Sequence, residues 1–225
     1  MGEHRRWGFR PPHRQRDGEI RVYLLDILKN MSKRLILASS SPRRRELLSS
    51  LGIDFDVLPA ELKEIPSPCE SPKDFALRVA EGKALLIGER YPECWVIGAD
   101  TVVAIGGEIL GKPRGKDEAK RMLHLLAGKE HLVITGYVLL KLAEGEKRKG
   151  VEQTKVKIKP LEKEEIDWYI NTGEPFDKAG GYAIQGKGAF MVEWIDGSYT
   201  NVVGLPLCQL AELIKDLKIT DIFKV

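Results

Sequence analysis

Apolar positions along the chain follow two spacings, and the switches between them outline its elements. Unbroken apolar runs at 35–38 (LILA) and 95–99 (WVIGA) read as short buried strands. Residues 101–105 and 108–110 pair as a hairpin around Gly106-Gly107, and 131–142 and 148–159 alternate like a longer hairpin around Ala143-Glu144-Gly145-Glu146. Helical spacing begins twice on the same signal, a serine before a proline. Ser41-Pro42 opens a helix through Leu48 that ends near Gly52, and Ser71-Pro72 opens another carrying Phe75, Val79, Lys83, Leu86 and Ile87. Amphipathic stretches at 116–127, closed by Gly128, and 162–172, ended by Gly173, predict two more helices. A strand at 189–195 and a last helix from Leu205-Pro206 complete the series. Strands alternating with helices, with at least two hairpins, predict an α/β fold with a mixed sheet, its ligand site at loops leaving strand ends.

The first thirty residues do not share this pattern. Segment 1–18 is rich in Arg, Pro and Gly, and 19–29 would form a short helix or strand. Met31 is a second plausible start, so the domain is expected over 31–225, with 1–30 a basic extension or an over-extended reading frame. Charge supports the division. The chain carries +3; residues 1–16 hold five arginines against Glu3, or +4, which leaves the remainder at −1. A near-neutral body is not a nucleic-acid binder by bulk charge. Hydrophobic residues at 43% and charged residues at 31% exclude a disordered chain, and no apolar run reaches the ~18–20 residues of a membrane helix. Cys69, Cys94 and Cys208 are odd in number and far apart, which argues against a disulfide framework and for a reducing cytoplasm. His124 and His131 lack ligand spacing and read as packing or surface residues.

Four constellations carry candidate chemistry. Ser39-Ser40-Ser41 and Arg43-Arg44-Arg45 flank a helix start, where free N–H groups, hydroxyls and guanidinium forks suit a phosphate; the alternative is a capped helix with a solvated basic face. Asp100, after an apolar strand, is placed to hold a divalent metal or take a proton from water, or simply to open a turn. Lys112 follows the hairpin that starts at Asp100 and should lie near it, as a phosphate ligand or a salt bridge. In Asp177–Gly186 (DKAGGYAIQG) paired glycines allow close backbone approach, and Gln185 offers a donor and an acceptor to a base edge; the bland reading is a glycine-rich connection. Glu61 and Glu64, around Lys63, are either further metal ligands or solvated surface.

In order, LILASSSPRRRELL, VIGADTVV, ILGKP, DKAGGYAIQG and NVVGLPL closely resemble the Maf family of nucleoside triphosphate pyrophosphatases over about 34–215. The resemblance implies a two-lobed, inosine-triphosphatase-like fold with a central cleft, often dimeric. Arg43, Thr101 and Gln185 match the subgroup acting on dTTP and UTP, and these three would set base specificity. Lys63 stands where the family often has an acid, and Ala183 replaces a usual glycine. Ser39, Ser41, Arg43, Arg44, Lys83 and Lys112 would bind the triphosphate, with Asp100 catalytic and Glu64 and Asp100 holding Mg²⁺ or Mn²⁺. The expected partner is a nucleoside triphosphate, with no membrane or stable nucleic-acid partner and with homodimerisation open. The competing expectation is a non-catalytic nucleotide- or nucleic-acid-binding regulator of cell division.

Overall fold

The structure, a computed structural model, describes residues 34–220 and 222. The basic extension and the element expected at 19–29 lie outside the described residues. One seven-stranded mixed sheet runs in the order β2-β1-β3-β5-β6-β7, with β4 on β3. Its strands are β1 Leu35–Leu37, β2 Asp56–Val57, β3 Trp95–Ile105, β4 Glu108–Leu110, β5 Glu130–Lys141, β6 Glu146–Ile158 and β7 Val192–Asp196. The helices are α1 Pro42–Ser49, α2 Pro72–Gly88, α3 Lys116–Leu126, α4 Lys163–Asn171, α5 Tyr199–Val203 and α6 Leu207–Asp216.

Both serine-proline starts cap as their chemistry demands. The Ser41 hydroxyl oxygen accepts from Arg44 N at 3.4 Å and that of Ser71 from Asp74 N at 3.1 Å. The two hairpins form, with Gly106, Gly107 and Gly145 at positive φ where the turns need it. Three expectations are corrected. Residues 95–99 and 101–105 are one strand, because β5 pairs with β3 from Val96 to Ala104 without a break and Asp100 sits mid-strand rather than at a turn. The strand expected at 189–195 is Val192–Asp196, since 186–191 is a 3-10 segment. Leu86 is exposed, off the buried stripe of α2. The last helix starts at Leu207 with Pro206 as its N-cap, as expected, and the short α5 before it went unforeseen.

Two features of the sheet build the site. The first is a fork. β1 runs parallel to the first part of β3, at 95–97, and β4 joins the same edge only at Val103. Between them, residues 98–102 have no strand on that side. Two of the four apolar clusters follow this division, one around α3 and α4 and another under α1 and α6, while the other two pack between α2 and the sheet. The second feature is how closely α2 lies on the sheet. A Cβ on Gly98 would stand 2.1 Å from the Ala80 carbonyl oxygen, and one on Gly136 would stand 2.5 Å from the Ala76 backbone. Only glycine lets the helix backbone come so near, and this brings the buried stripe of α2, including Lys83, onto the fork.

Candidate active site

A cavity of about 590 Å³ opens at the fork, within the range of small-molecule sites. Side chains alternate across a strand, so Asp100 and Thr101 point to opposite faces; with no strand beside them, both reach the cavity. Ten of the residues selected from the sequence line it: Ser39, Ser41, Arg43, Arg44, Glu64, Lys83, Asp100, Thr101, Lys112 and Gln185. Glu61 does not. Arg114, Glu118, Asp177 and Lys178 join the wall, so six cationic side chains face four acidic ones. That balance suits a polyanion.

On the α2 side, Lys83 Nζ donates to Asp100 Oδ1 at 2.7 Å and meets Glu64 Oε1 at 2.6 Å. Lys83 and Asp100 are buried, and Glu64 is reached from an exposed loop. Burial raises the Asp100 pKa, against the attraction of Lys83 and Arg44. Burial also works to raise that of Glu64, but the charge and hydrogen bond of Lys83, with Lys112 and Arg44, outweigh it and hold the carboxyl below its ordinary value. Asp100 Oδ2 and Glu64 Oε2 make no hydrogen bond among the described residues.

On the other face, Arg44 is buried and held at every nitrogen. Its Nε donates to the Gly204 carbonyl at 2.7 Å, Nη1 to Ser39 Oγ at 3.3 Å and Nη2 to Thr101 Oγ1 at 2.9 Å. Burial lowers its pKa, with Asp100 and Glu64 opposing. Thr101 Oγ1 also lies 2.9 Å from Thr135 Oγ1 and 3.3 Å from the Gly204 carbonyl, so its hydroxyl positions Arg44. Ser39 Oγ accepts from Ser41 N as well; both serine oxygens act as acceptors, which leaves the hydroxyl hydrogens to donate to an anion. Arg43, one residue earlier, leans across the cavity to Asp177 at 3.6 Å. Lys112 is exposed on the wall, and Gln185 is half-buried with no side-chain hydrogen bond among the described residues. Ala183, buried, is accommodated.

Among the described residues no group of three or more His, Cys, Asp or Glu could hold a metal ion. Glu64 and Asp100 alone fit a hard divalent cation that takes its remaining oxygens from phosphates and water, the usual arrangement for Mg²⁺. They already share one cation, the Lys83 ammonium.

The family model described as "Maf-like protein" matches residues 34–217. This chain belongs to the Maf family. A relative in Geobacter sulfurreducens, named a dTTP/UTP pyrophosphatase, is 54% identical over 180 residues, covering 80% of this chain and 94% of that protein. Another of that name, from Pyrococcus abyssi, is 50% identical over 181 residues, covering 80% and 95%. Among solved structures, a HAM1 protein from Coxiella burnetii aligns with 12% identity and a TM-score of 0.49, covering 81% of this Maf chain and 98% of that one. No helix among the described residues is long and apolar enough to cross a membrane, and none of the three cysteines is in a disulfide.

Proposed function

We propose that this Maf protein hydrolyses dTTP and UTP to the nucleoside monophosphate and pyrophosphate. The observation that carries the reading is one cavity that joins a cationic wall, a buried Lys83–Asp100 pair and the unpaired amide of Gln185. The relatives' shared name supports the choice of substrate.

The triphosphate lies along the α1 N-terminus. Ser39 and Ser41 donate hydroxyl hydrogens, Arg43 and Arg44 supply guanidinium donors, and Lys83 and Lys112 add charge. Gln185 meets the base with a donor for a carbonyl and an acceptor for the ring N–H, while Arg43 and Thr101 shape that end. Water attacks the α-phosphorus, the bond from phosphorus to the oxygen bridging to the β-phosphate breaks, and the pair of electrons leaves with pyrophosphate. Asp100 takes the proton of the attacking water. Glu64 and Asp100 would hold Mg²⁺ or Mn²⁺, which when bound supplies charge neutralisation on the phosphates and acidifies water. We assign the protein to the cytoplasm, a compartment where thiols stay reduced and nucleoside triphosphates are plentiful.

A pyrophosphate-release screen over UTP, dTTP, CTP, ATP and GTP, with Mg²⁺ or with chelator, tests this. UTP and dTTP should turn over at least tenfold faster than the others, and chelation should stop them. Turnover of all five at one rate, or none, contradicts the proposal.

A further inference from the structure

Gln185 stands at the entry of the 3-10 segment Gly186–Met191, whose first N–H groups lack a helical acceptor and which has no side-chain cap of its own. A residue eleven positions earlier supplies one. Glu174 Oε2 accepts from Lys187 N at 2.9 Å, and Oε1 accepts from Gly188 N at 2.9 Å and from the Tyr169 hydroxyl at 3.1 Å. One carboxylate thus closes three donors around the turn that follows Gln185.

The contacts around it are tight. A Cβ on Gly186 would stand 2.8 Å from Glu174 Oε2, and one on Gly188 would stand 2.7 Å from the Tyr169 hydroxyl oxygen. Gly186 also has φ +75°, where a side chain would be strained. Burial works to raise the Glu174 pKa, but the two backbone donors, Tyr169 and Lys178 outweigh it and keep the carboxyl ionised.

The same residue faces the other base-end group through its backbone. The Glu174 carbonyl accepts from Lys178 Nζ at 2.8 Å, Lys178 Nζ holds Asp177 Oδ1 at 2.6 Å, and Asp177 meets Arg43. Two of the three side chains proposed for the base end, Gln185 and Arg43, are therefore tied to a single residue outside the cavity wall.

We infer that Glu174 is a positioning residue for base recognition, holding the backbone that aims Gln185 at the pyrimidine. It touches no substrate. The inference rests on the pyrimidine-triphosphate reading of the site. Loss of the carboxylate should disturb the base and leave Arg44, Lys83 and Asp100 as built, because those three share no hydrogen bond with it.

The test is steady-state kinetics with UTP and CTP, bases of nearly equal size and opposite hydrogen-bond polarity at one edge. Four variants are compared with the wild type: Glu174→Gln, Tyr169→Phe, Gln185→Glu and Ile170→Val. A glutamine at 174 keeps the shape but faces one backbone N–H with an amide NH₂. It should raise KM for UTP about tenfold and lower the UTP-to-CTP ratio of kcat/KM at least fivefold, with kcat for UTP within about threefold of wild type. Tyr169→Phe removes one of the three donors and should move the ratio the same way by about twofold to threefold, which keeps the inference testable if Glu174→Gln does not fold. Ile170→Val loosens the same helix without touching the turn and should leave the ratio unchanged.

An unchanged ratio in both Glu174→Gln and Tyr169→Phe, or a shift matched by Ile170→Val, overturns the inference. If Gln185→Glu alone moves the ratio, the base-reading role stands and Glu174 is only a structural cap. If the wild type does not favour UTP over CTP, the reading beneath fails and the inference with it.

Discussion

Two buried titratable side chains near the cleft meet burial in opposite ways. Asp100 is paired: burial raises its pKa, and Lys83 and Arg44 offset part of that cost to the ionised carboxylate. His131 is not paired with an acid. Its Nε2 lies 2.6 Å from the Tyr182 hydroxyl, Nδ1 has no partner, and burial pushes the imidazole down to about 4 from 6.5. The folded chain therefore holds His131 neutral, whereas the unfolded chain binds a proton below 6.5. Between those two values the unfolded state carries more protons, so the stability contribution is complete above pH 6.5 and declines as pH falls toward 4. The wild type should lose about 2 kcal/mol more than His131→Gln between pH 7 and pH 5 in urea unfolding. Equal losses would mean that His131 titrates in the fold as it does in water. The histidine expected as a packing residue is one, with Tyr182 as its partner.

At the scale of elements, α2 decides whether the site exists. Its two-glycine bed lets Lys83 reach Asp100 from the middle of an otherwise apolar stripe. A methyl at Gly98 meets backbone, which cannot turn aside as a side chain can. Gly98→Ala should destabilise the protein by about 3 kcal/mol and lower kcat, because α2 must lift and take Lys83 with it. A variant with wild-type melting temperature and kcat would show that the close approach is dispensable. Much of the site was legible beforehand because its parts are local: a serine cap before Pro42, a glycine pair before Tyr182, an acid beside an apolar run. What escaped was long-range. Nothing around Asp100 announces that β5 will zip 95–105 into one strand, or that β1 and β4 will leave a gap beside it. The Gly204 carbonyl and Thr135, which fix Arg44 and Thr101, have no local signal at all. Arg114 had one, lying two residues after Lys112 in the same loop. Glu174 was hidden because two of its three carboxylate partners are backbone N–H groups, which leave no side-chain signal in the sequence.

Across the whole molecule, the sheet runs through both halves while its cores separate, and the cavity occupies the place where one strand edge is left bare. Under the proposed reading a phosphate chain runs from the α1 N-terminus to the fork while the base reaches Gln185, with the scissile bond set between two groups of side chains held by different parts of the fold. In the proposed reaction the attack falls on the α-phosphorus, with Asp100 beside the incoming water. Hydrolysis of UTP in H₂¹⁸O, followed by mass analysis of the products, tests that assignment most directly. One ¹⁸O atom should appear in UMP, none in pyrophosphate, and Asp100→Asn should slow the labelling at least a hundredfold. Label in pyrophosphate, or UDP and inorganic phosphate as the products, would contradict it.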